Sequence, residues 1–325
     1  MGIYHFSPVG INPGAVTCAL AYLKQNKDSF IARGDVIESI ILFASSDVRE
    51  GSTKTRECIY NDYMSMTARK TLKMVNILNV ITEFIISEIA DIMPKKGTVY
   101  CCVVDPNDYD SCFEVIAKAA LHFSPPGDTG KNIWANLTGG TNVLNASLLQ
   151  VAFLSGLISR IYYTFLPRED DRKYLQPVKN DSERFRWDEV PFIKTSFDNV
   201  YQALLQELKD LSEEWCLDEN LLGCLRQASW KYLRPEDLKT INTMDIQIFR
   251  QEWLNKLDGR ELERQVLPDG SLGRYIRLSG AGKRLLGRIE SPLFQALVQR
   301  GKGITVENTT DLIQGLEIEE LWSKP

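Results

Sequence analysis

Over the first half of this chain, short apolar runs alternate with longer stretches of helical spacing, and that alternation constrains its fold more than any other feature. Ile3–Phe6, Val36–Ala44 (VIESIILFA), Thr98–Val104 (TVYCCVV), Ile133–Leu137 and Ile158–Leu166 (ISRIYYTFL) read as strands. Between them Ala15–Leu23, about Ala68–Met93, Tyr109–Leu121 and Asn142–Leu154 carry the apolar periodicity of helices. Strands joined by helical crossovers run parallel, with the helices covering both faces of the sheet. The expected fold class is therefore α/β, a Rossmann-like parallel sheet followed by a mostly helical C-terminal part. Sheets of this kind bind ligands beyond the carboxyl ends of their strands, at the crevice where strand order reverses. The two richest turn segments, 7–14 (SPVGINPG) and 138–142 (TGGTN), each follow a strand, so both belong on that edge.

At 325 residues the chain is long for one domain, and two are expected. Hydrophobic residues at 44% with 25% charged describe an ordinary soluble protein. The Met1 end has no basic stretch followed by an apolar run, so no signal peptide is expected. Met74–Met93, the most apolar long segment, is interrupted by Asn76, Asn79, Glu83, Ser87, Glu88 and Asp91, which suits a core-facing helix and excludes a membrane partner. The seven cysteines form no CxxC pair and have no histidine at zinc-ligand spacing, so they read as structural thiols in a reducing, cytoplasmic setting with no metal and no cofactor. The formal charge is −5, yet Arg226–Lys302 holds 15 Lys+Arg against 9 Asp+Glu, a local +6 that leaves −11 on the rest. A basic block in an acidic protein points to a polyanion partner for that block or to a solvated basic face.

Chemistry concentrates in Trp134–Asn145 (WANLTGGTNVLN), which runs from strand to helix through two glycines. Gly139 and Gly140 leave the backbone open to close approach, and the unpaired N–H groups of the next helix favour an anion. Thr138 and Thr141 add hydroxyls, so the segment reads as a cradle for phosphate or ribose. It matches neither GxGxxG nor GxxxxGKS/T. The segment resembles the TGGT motif of the CARF family, the CRISPR-associated Rossmann-fold domains that bind cyclic oligoadenylates. Phe6–Thr17 (FSPVGINPGAVT) resembles the family's opening strand and Gly/Pro loop, and the resemblance spans about residues 1–166. It implies a homodimer with one cyclic ligand across its two-fold axis. The implied ligand-binding residues are Ser7, Pro8, Val9, Gly10 and Asn12 in the first loop, and Thr138, Gly139, Gly140, Thr141 and Asn142 in the second. The family usually has lysine after TGGT, whereas this chain has Asn142, which can hydrogen-bond but carries no charge. Some CARF proteins are metal-independent ring nucleases, which need charge at the phosphorane. Asn142 tilts the reading from cleavage towards sensing, with Lys131 or Arg168 as other sources of charge.

Pro167–Trp187 is charged and irregular and reads as a boundary, with helical spacing resuming at Ser196–Trp215. Met244–Leu257 and Gly259–Val266 look like two helices, Leu267–Gly273 a turn, Arg274–Leu278 a strand and Gly280–Ile289 a helix. Arg274–Leu286 (RYIRLSGAGKRLL) resembles the wing strand and final helix of winged-helix domains. The implied division is a CARF domain over 1–166, a helical connector over 167–240 and a winged-helix-like domain over 241–325. In that arrangement Arg260 and Arg264 lie on the recognition helix and Arg274 and Arg277 on the wing, where DNA phosphates are met. Packing or dimerisation alone remains the other reading of this domain.

His5 and His122 are the only histidines, so a histidine cluster is excluded, and with it the RxxxxH signature of HEPN ribonucleases. His5 reads as a packed ring. Glu207 and Lys209 spell the ExK of restriction-type nucleases but fall on a helical pattern where a strand is required. Asp105 and Asp108 suit base or ribose contacts, or turn formation and helix capping. Trp215, Trp230 and Trp253 read as core or interface anchors. Three functions remain: a cyclic oligoadenylate-gated regulator, a ring nuclease, and a Rossmann-like nucleotide binder outside CRISPR defence.

Overall fold

The computed structural model describes residues 2–27, 36–51, 76–124, 133–165, 186–190, 199–211, 215–227, 235–254, 257, 261–301 and 304–325. The chain forms two compact units, Met1–Lys194 with Ala296–Pro325, and Thr195–Gln295.

The first unit is built on β1 (Gly2–Pro8), β2 (Val36–Ala44), β3 (Thr98–Val103), β4 (Ile133–Asn136) and β5 (Ile158–Phe165). These five strands pair parallel. Two edge strands, β6 (Arg186–Glu189) and β10 (Ile318–Ser323), close the sheet antiparallel, and the spatial order is β10-β3-β2-β1-β4-β5-β6. Winding outward from β1 through β2 to β3, and then from β4 to β5 on the other side, puts the reversal of strand order between β1 and β4. The connecting helices are α1 (Gly14–Gln25), α2 (Ser46–Glu50), α3 (Ile77–Phe84), α4 (Tyr109–His122) and α5 (Asn142–Ser155). α3 runs on through a π-helical turn, Ile85–Ile89, and a 3₁₀ turn, Ala90–Ile92. Residues 68–75 of the expected long helix lie outside the described residues.

Apolar runs with both faces covered are what a parallel sheet requires, and Ile37, Ile40, Ile41, Leu42 and Phe43 of β2 are fully buried. Short polar side chains fix the helix starts: Asn76 accepts from the amides of Leu78 and Asn79, and Asp108 from those of Asp110 and Ser111. Asp108 is thus a cap. Asp105 accepts from the Asn107 amide at 2.9 Å, as a turn former does.

β6 straddles the end of the stretch read as a boundary, Pro167–Trp187, and β10 falls inside the stretch read as a winged helix. β6 is held by packing: Trp187 stacks on Tyr162 at 3.7 Å between centroids and on Tyr22 at 5.0 Å. β10 is held by pairing with β3, by Leu321 and Trp322 against the core, and by the Lys324 ammonium on the carbonyls of Ala90 and Met93. Residues 296–325 therefore return to the first unit, and the division of 241–325 as one domain is corrected accordingly.

The second unit contains α6 (Asn199–Leu211), β7 (Cys216–Leu217), α7 (Asp218–Gln227), α8 (Pro235–Thr243) and α9 (Ile246–Ile248) with a π-helical extension, Phe249–Trp253. β8 (Leu262–Val266), β9 (Leu272–Leu278) and α10 (Gly280–Glu290) follow. The strands form an antiparallel sheet in the order β7-β9-β8. The segment read as a helix over Gly259–Val266 is a strand from Leu262 onward. Five residues are too few for periodicity to separate helix from strand, and pairing of Leu262 with Leu278 and Arg264 with Ile276 decides it. No helix among the described residues is long and apolar enough to cross a membrane.

Candidate functional site

The connections β1–α1 and β4–α5 leave the sheet side by side at the reversal of strand order, where this architecture places ligands. Their backbones interlock. A Cβ on Gly139 would stand 2.3 Å from the Pro8 carbonyl oxygen, and one on Gly140, whose φ is +77°, would stand 2.5 Å from Pro8 Cβ. No other residue allows this approach. The side on which the glycines lack Cβ atoms is therefore filled by Pro8, and only the opposite side of the turn meets solvent.

That side lines a cavity of about 300 Å³. Gly10, Ile11, Asn12 and Ala15 form one wall, Thr138, Gly139 and Gly140 the next, and Thr164 and Phe165 at the end of β5 complete it. Asn12 Oδ1 accepts from the Gly14 amide at 3.0 Å, which closes the turn into α1. Thr138 Oγ1 accepts from the Thr164 amide at 2.7 Å and lies 2.9 Å from Thr164 Oγ1. Asn145 donates to the carbonyls of Leu137 and Gly139 at 3.1 and 3.0 Å, so the loop is braced from α5 as well. Beneath the floor, Ser7 and Asn136 are completely buried.

Of the ten ligand-binding residues expected from sequence, Gly10, Asn12, Thr138, Gly139 and Gly140 line the cavity. Ser7, Pro8 and Val9 do not: Ser7 and Val9 are buried, and the Val9 amide donates to Phe43 O at 2.8 Å. Thr141 is the cap of α5, accepting from the Leu144 amide at 3.3 Å, and Asn142 is exposed in the first turn. Sequence reasoning missed Ile11, Ala15, Thr164 and Phe165. A signal existed for the last two, since β5 neighbours β4 and its carboxyl end must reach the same edge. Ile11 and Phe165 are 66% and 44% exposed, large apolar surfaces at the mouth. Among the described residues none that lines the cavity is charged. Lys131 and Arg168 lie outside the described residues.

A second cavity, about 390 Å³, opens at the ends of β2 and β3. Its walls include Asp47, Asp105 and Glu317, and carboxylates repel a phosphorylated ligand. The smaller cavity is the better anion site of the two. Among the described residues no group of three His, Cys, Asp or Glu side chains is arranged to hold a metal ion.

The remaining candidates take structural places. His5 is fully buried, and burial lowers its pKa to about 3. Glu207 and Lys209 lie on α6, with Lys209 paired to Glu290 at 2.8 Å. Cys101 and Cys102 are buried thiols, both pushed up to about 12 by desolvation. In the second unit Arg264 sits on β8 with its side chain 8% exposed, 3.9 Å from the buried Asp218 carboxylate that Arg250 also holds at 2.7 Å. Arg274 pairs with Glu219. Arg277 pairs with Glu263 at 2.7 Å and lies over the Trp215 ring at 4.5 Å. Arg260 is outside the described residues. Arg274 and Arg277 thus lie on a hairpin strand, as expected of a wing, whereas Arg264, expected on a recognition helix, is on β8 and turns inward.

No protein-family model matches the chain. It is 26% identical over 241 residues to an uncharacterised protein of Archaeoglobus fulgidus, covering 66% of this chain and 68% of that one. Two solved structures are weakly similar. Enterococcus italicus Csm6 bound to cyclic hexa-2'-fluoro-hexa-dAMP aligns with a TM-score of 0.36 and 14% identity over 74% of this chain, which spans 53% of that protein's length. Protein VC1899 from Vibrio cholerae aligns with a TM-score of 0.29 and 11% identity over 92% of this chain and 67% of its own. Likeness at these scores carries no function.

Proposed function

We propose that the chain is a cyclic oligoadenylate-binding sensor of the CARF type, serving CRISPR antiviral defence as a homodimer. One observation carries the reading. The cavity at the reversal of strand order is walled by Gly10 and by the Thr138–Gly140 turn, the two segments whose sequences resemble the family's motifs. The N-terminal amides of α5, a fourteen-residue helix, add partial positive charge beside that turn. Ile11 and Phe165 offer apolar surface for a flat base, and Asn12 offers polar recognition. Among the described residues no cavity-lining side chain is charged, so a phosphorane would rely on backbone amides, and binding without cleavage is the expected outcome.

The second unit we read as a winged helix that responds to the ligand. Its order is helix, short strand, helices, hairpin, helix, and β7 pairs with β9 of the hairpin. Its hairpin arginines are engaged by Glu219 and Glu263, so DNA contact through them requires exchanging those partners.

The test is incubation of the purified protein with radiolabelled cyclic tetra- and hexa-adenylate without metal, following retention and cleavage separately. Retention of intact ring supports the sensor. Linear products with cyclic-phosphate ends would make it a ring nuclease, and no retention of either ring overturns the assignment. A salt-dependent gel shift on upstream DNA, with and without the ring, tests the second unit.

A further inference from the structure

Polar side chains in the central strands of a parallel sheet are costly unless each finds a partner. His5, Ser7, Asn136 and Tyr162 are all completely buried there, on β1, β4 and β5, with Asn136 and Tyr162 in register. They form one chain of contacts. Asn136 Oδ1 accepts the Thr138 amide at 3.0 Å, and its Nδ2 donates to the Ala15 carbonyl at 3.0 Å and to Ser7 Oγ at 3.4 Å. Ser7 Oγ lies 3.2 Å from His5 Nδ1, and His5 Nε2 meets the Tyr162 hydroxyl.

We propose that Asn136 is a positioning residue for the cavity: one short carboxamide that holds the start of α1 and the loop after β4 at a set separation. Ala15 and Thr138 both line the cavity and belong to different connections. A carbonyl can only accept and an amide N–H can only donate, so the side chain between them must offer a donor and an acceptor together. A carboxamide does so. A carboxylate lacks the donor, and an alanine lacks both. Ser7, backed by His5, accepts the second Nδ2 hydrogen and leaves no buried N–H unpaired. Geometry this specific, 0% exposed beneath a cavity, does more than fill space.

The affinity readout rests on the sensor reading, while a second readout does not. Binding of cyclic tetra-adenylate is measured by calorimetry for wild type, Asn136→Ala and Asn136→Asp at pH 8 and pH 5, well below the melting temperature. The backbone amide resonances of Thr138, Gly139 and Gly140 are followed in ligand-free protein. Both variants are expected to bind at least tenfold more weakly at pH 8. Burial raises the pKa of an introduced carboxyl, and once protonated it can donate to Ala15 while accepting from Thr138. Asn136→Asp should therefore recover towards wild type at pH 5, and Asn136→Ala should not. His5 and Tyr162 are the titratable groups in this series of buried contacts; burial lowers His5 to about 3 and raises Tyr162, so both stay neutral over this range. A purely space-filling residue would give no such pH profile.

Binding within twofold of wild type in both variants, with unmoved amide resonances, overturns the proposal, as does an aspartate variant no better at pH 5 than the alanine. If neither variant folds, Ser7→Ala replaces them: a threefold loss with smaller shifts at the same amides supports the proposal, and unchanged resonances overturn it. Failure of wild type to bind the ring would count against the sensor, and the amide resonances would still decide on Asn136.

Discussion

At the scale of single residues, the glycines of the second loop serve the neighbouring loop as well as the cavity. Their lack of side chains admits Pro8 on one side, while both residues line the cavity on the other. Gly139→Ala should accordingly cost about 1–3 kcal/mol of stability from overpacking, measured by urea unfolding, and should weaken cyclic tetra-adenylate binding at least tenfold by moving the loop. An alanine tolerated on both counts would show that the two loops can separate. His5 makes the second prediction. Its folded pKa is depressed from 6.5 to about 3, so the unfolded chain binds a proton near 6.5 that the folded chain refuses. The resulting stability is present above 6.5 and is lost as pH falls towards 3, by up to about 1.4 kcal/mol per pH unit. Between pH 7 and pH 5 the wild type should lose about 1–2 kcal/mol more than His5→Phe, read from urea midpoints. Equal losses would mean that the buried ring is protonated in the fold.

At the scale of elements, strands and helices whose own residues pack both faces were legible, and those completed by distant segments were not. VIESIILFA could be read as a strand because seven of its nine residues are buried whatever its neighbours. IEELWS could not, because only Leu321 and Trp322 turn to the core and the rest of β10 is set by its pairing with β3. Truncation after Gln314 should therefore cost several kcal/mol, counting about 1.5–3 kcal/mol for each large apolar side chain returned to water. It should also expose the β3 edge and promote aggregation. Thermal melting and light scattering check both, and an unchanged melting temperature would mean that β10 is dispensable. LERQV was misread for the opposite reason: its spacing fits a helix or a strand, and only the partners in β9 choose.

At the scale of the whole molecule, the sensor reading fixes a stoichiometry. One ring across a two-fold axis requires half a ring bound per chain, with a dimer by light scattering at the concentrations used. Titration to one ring per chain, or binding by a monomer, would restrict the cavity to a ligand contained within one subunit. The basic excess of Arg226–Lys302 also changes meaning at this scale. Arg250, Arg264 and Arg274 are engaged with Asp218 and Glu219, which lie outside that segment, so part of the +6 goes to internal pairing rather than to a polyanion.

The alternation of strands and helices in the first half, and the sheet edge that carries both turn-rich loops, follow from the sequence alone. Periodicity and turn chemistry are local properties, and a parallel sheet has a defined carboxyl edge. Tertiary structure decided which groups on that edge face the cavity, which strands closed the sheet and which arginines stayed exposed. Those outcomes depend on contacts between residues far apart in sequence, as in Glu319 opposite Cys101 across β10 and β3, and no local pattern encodes a partner at that distance.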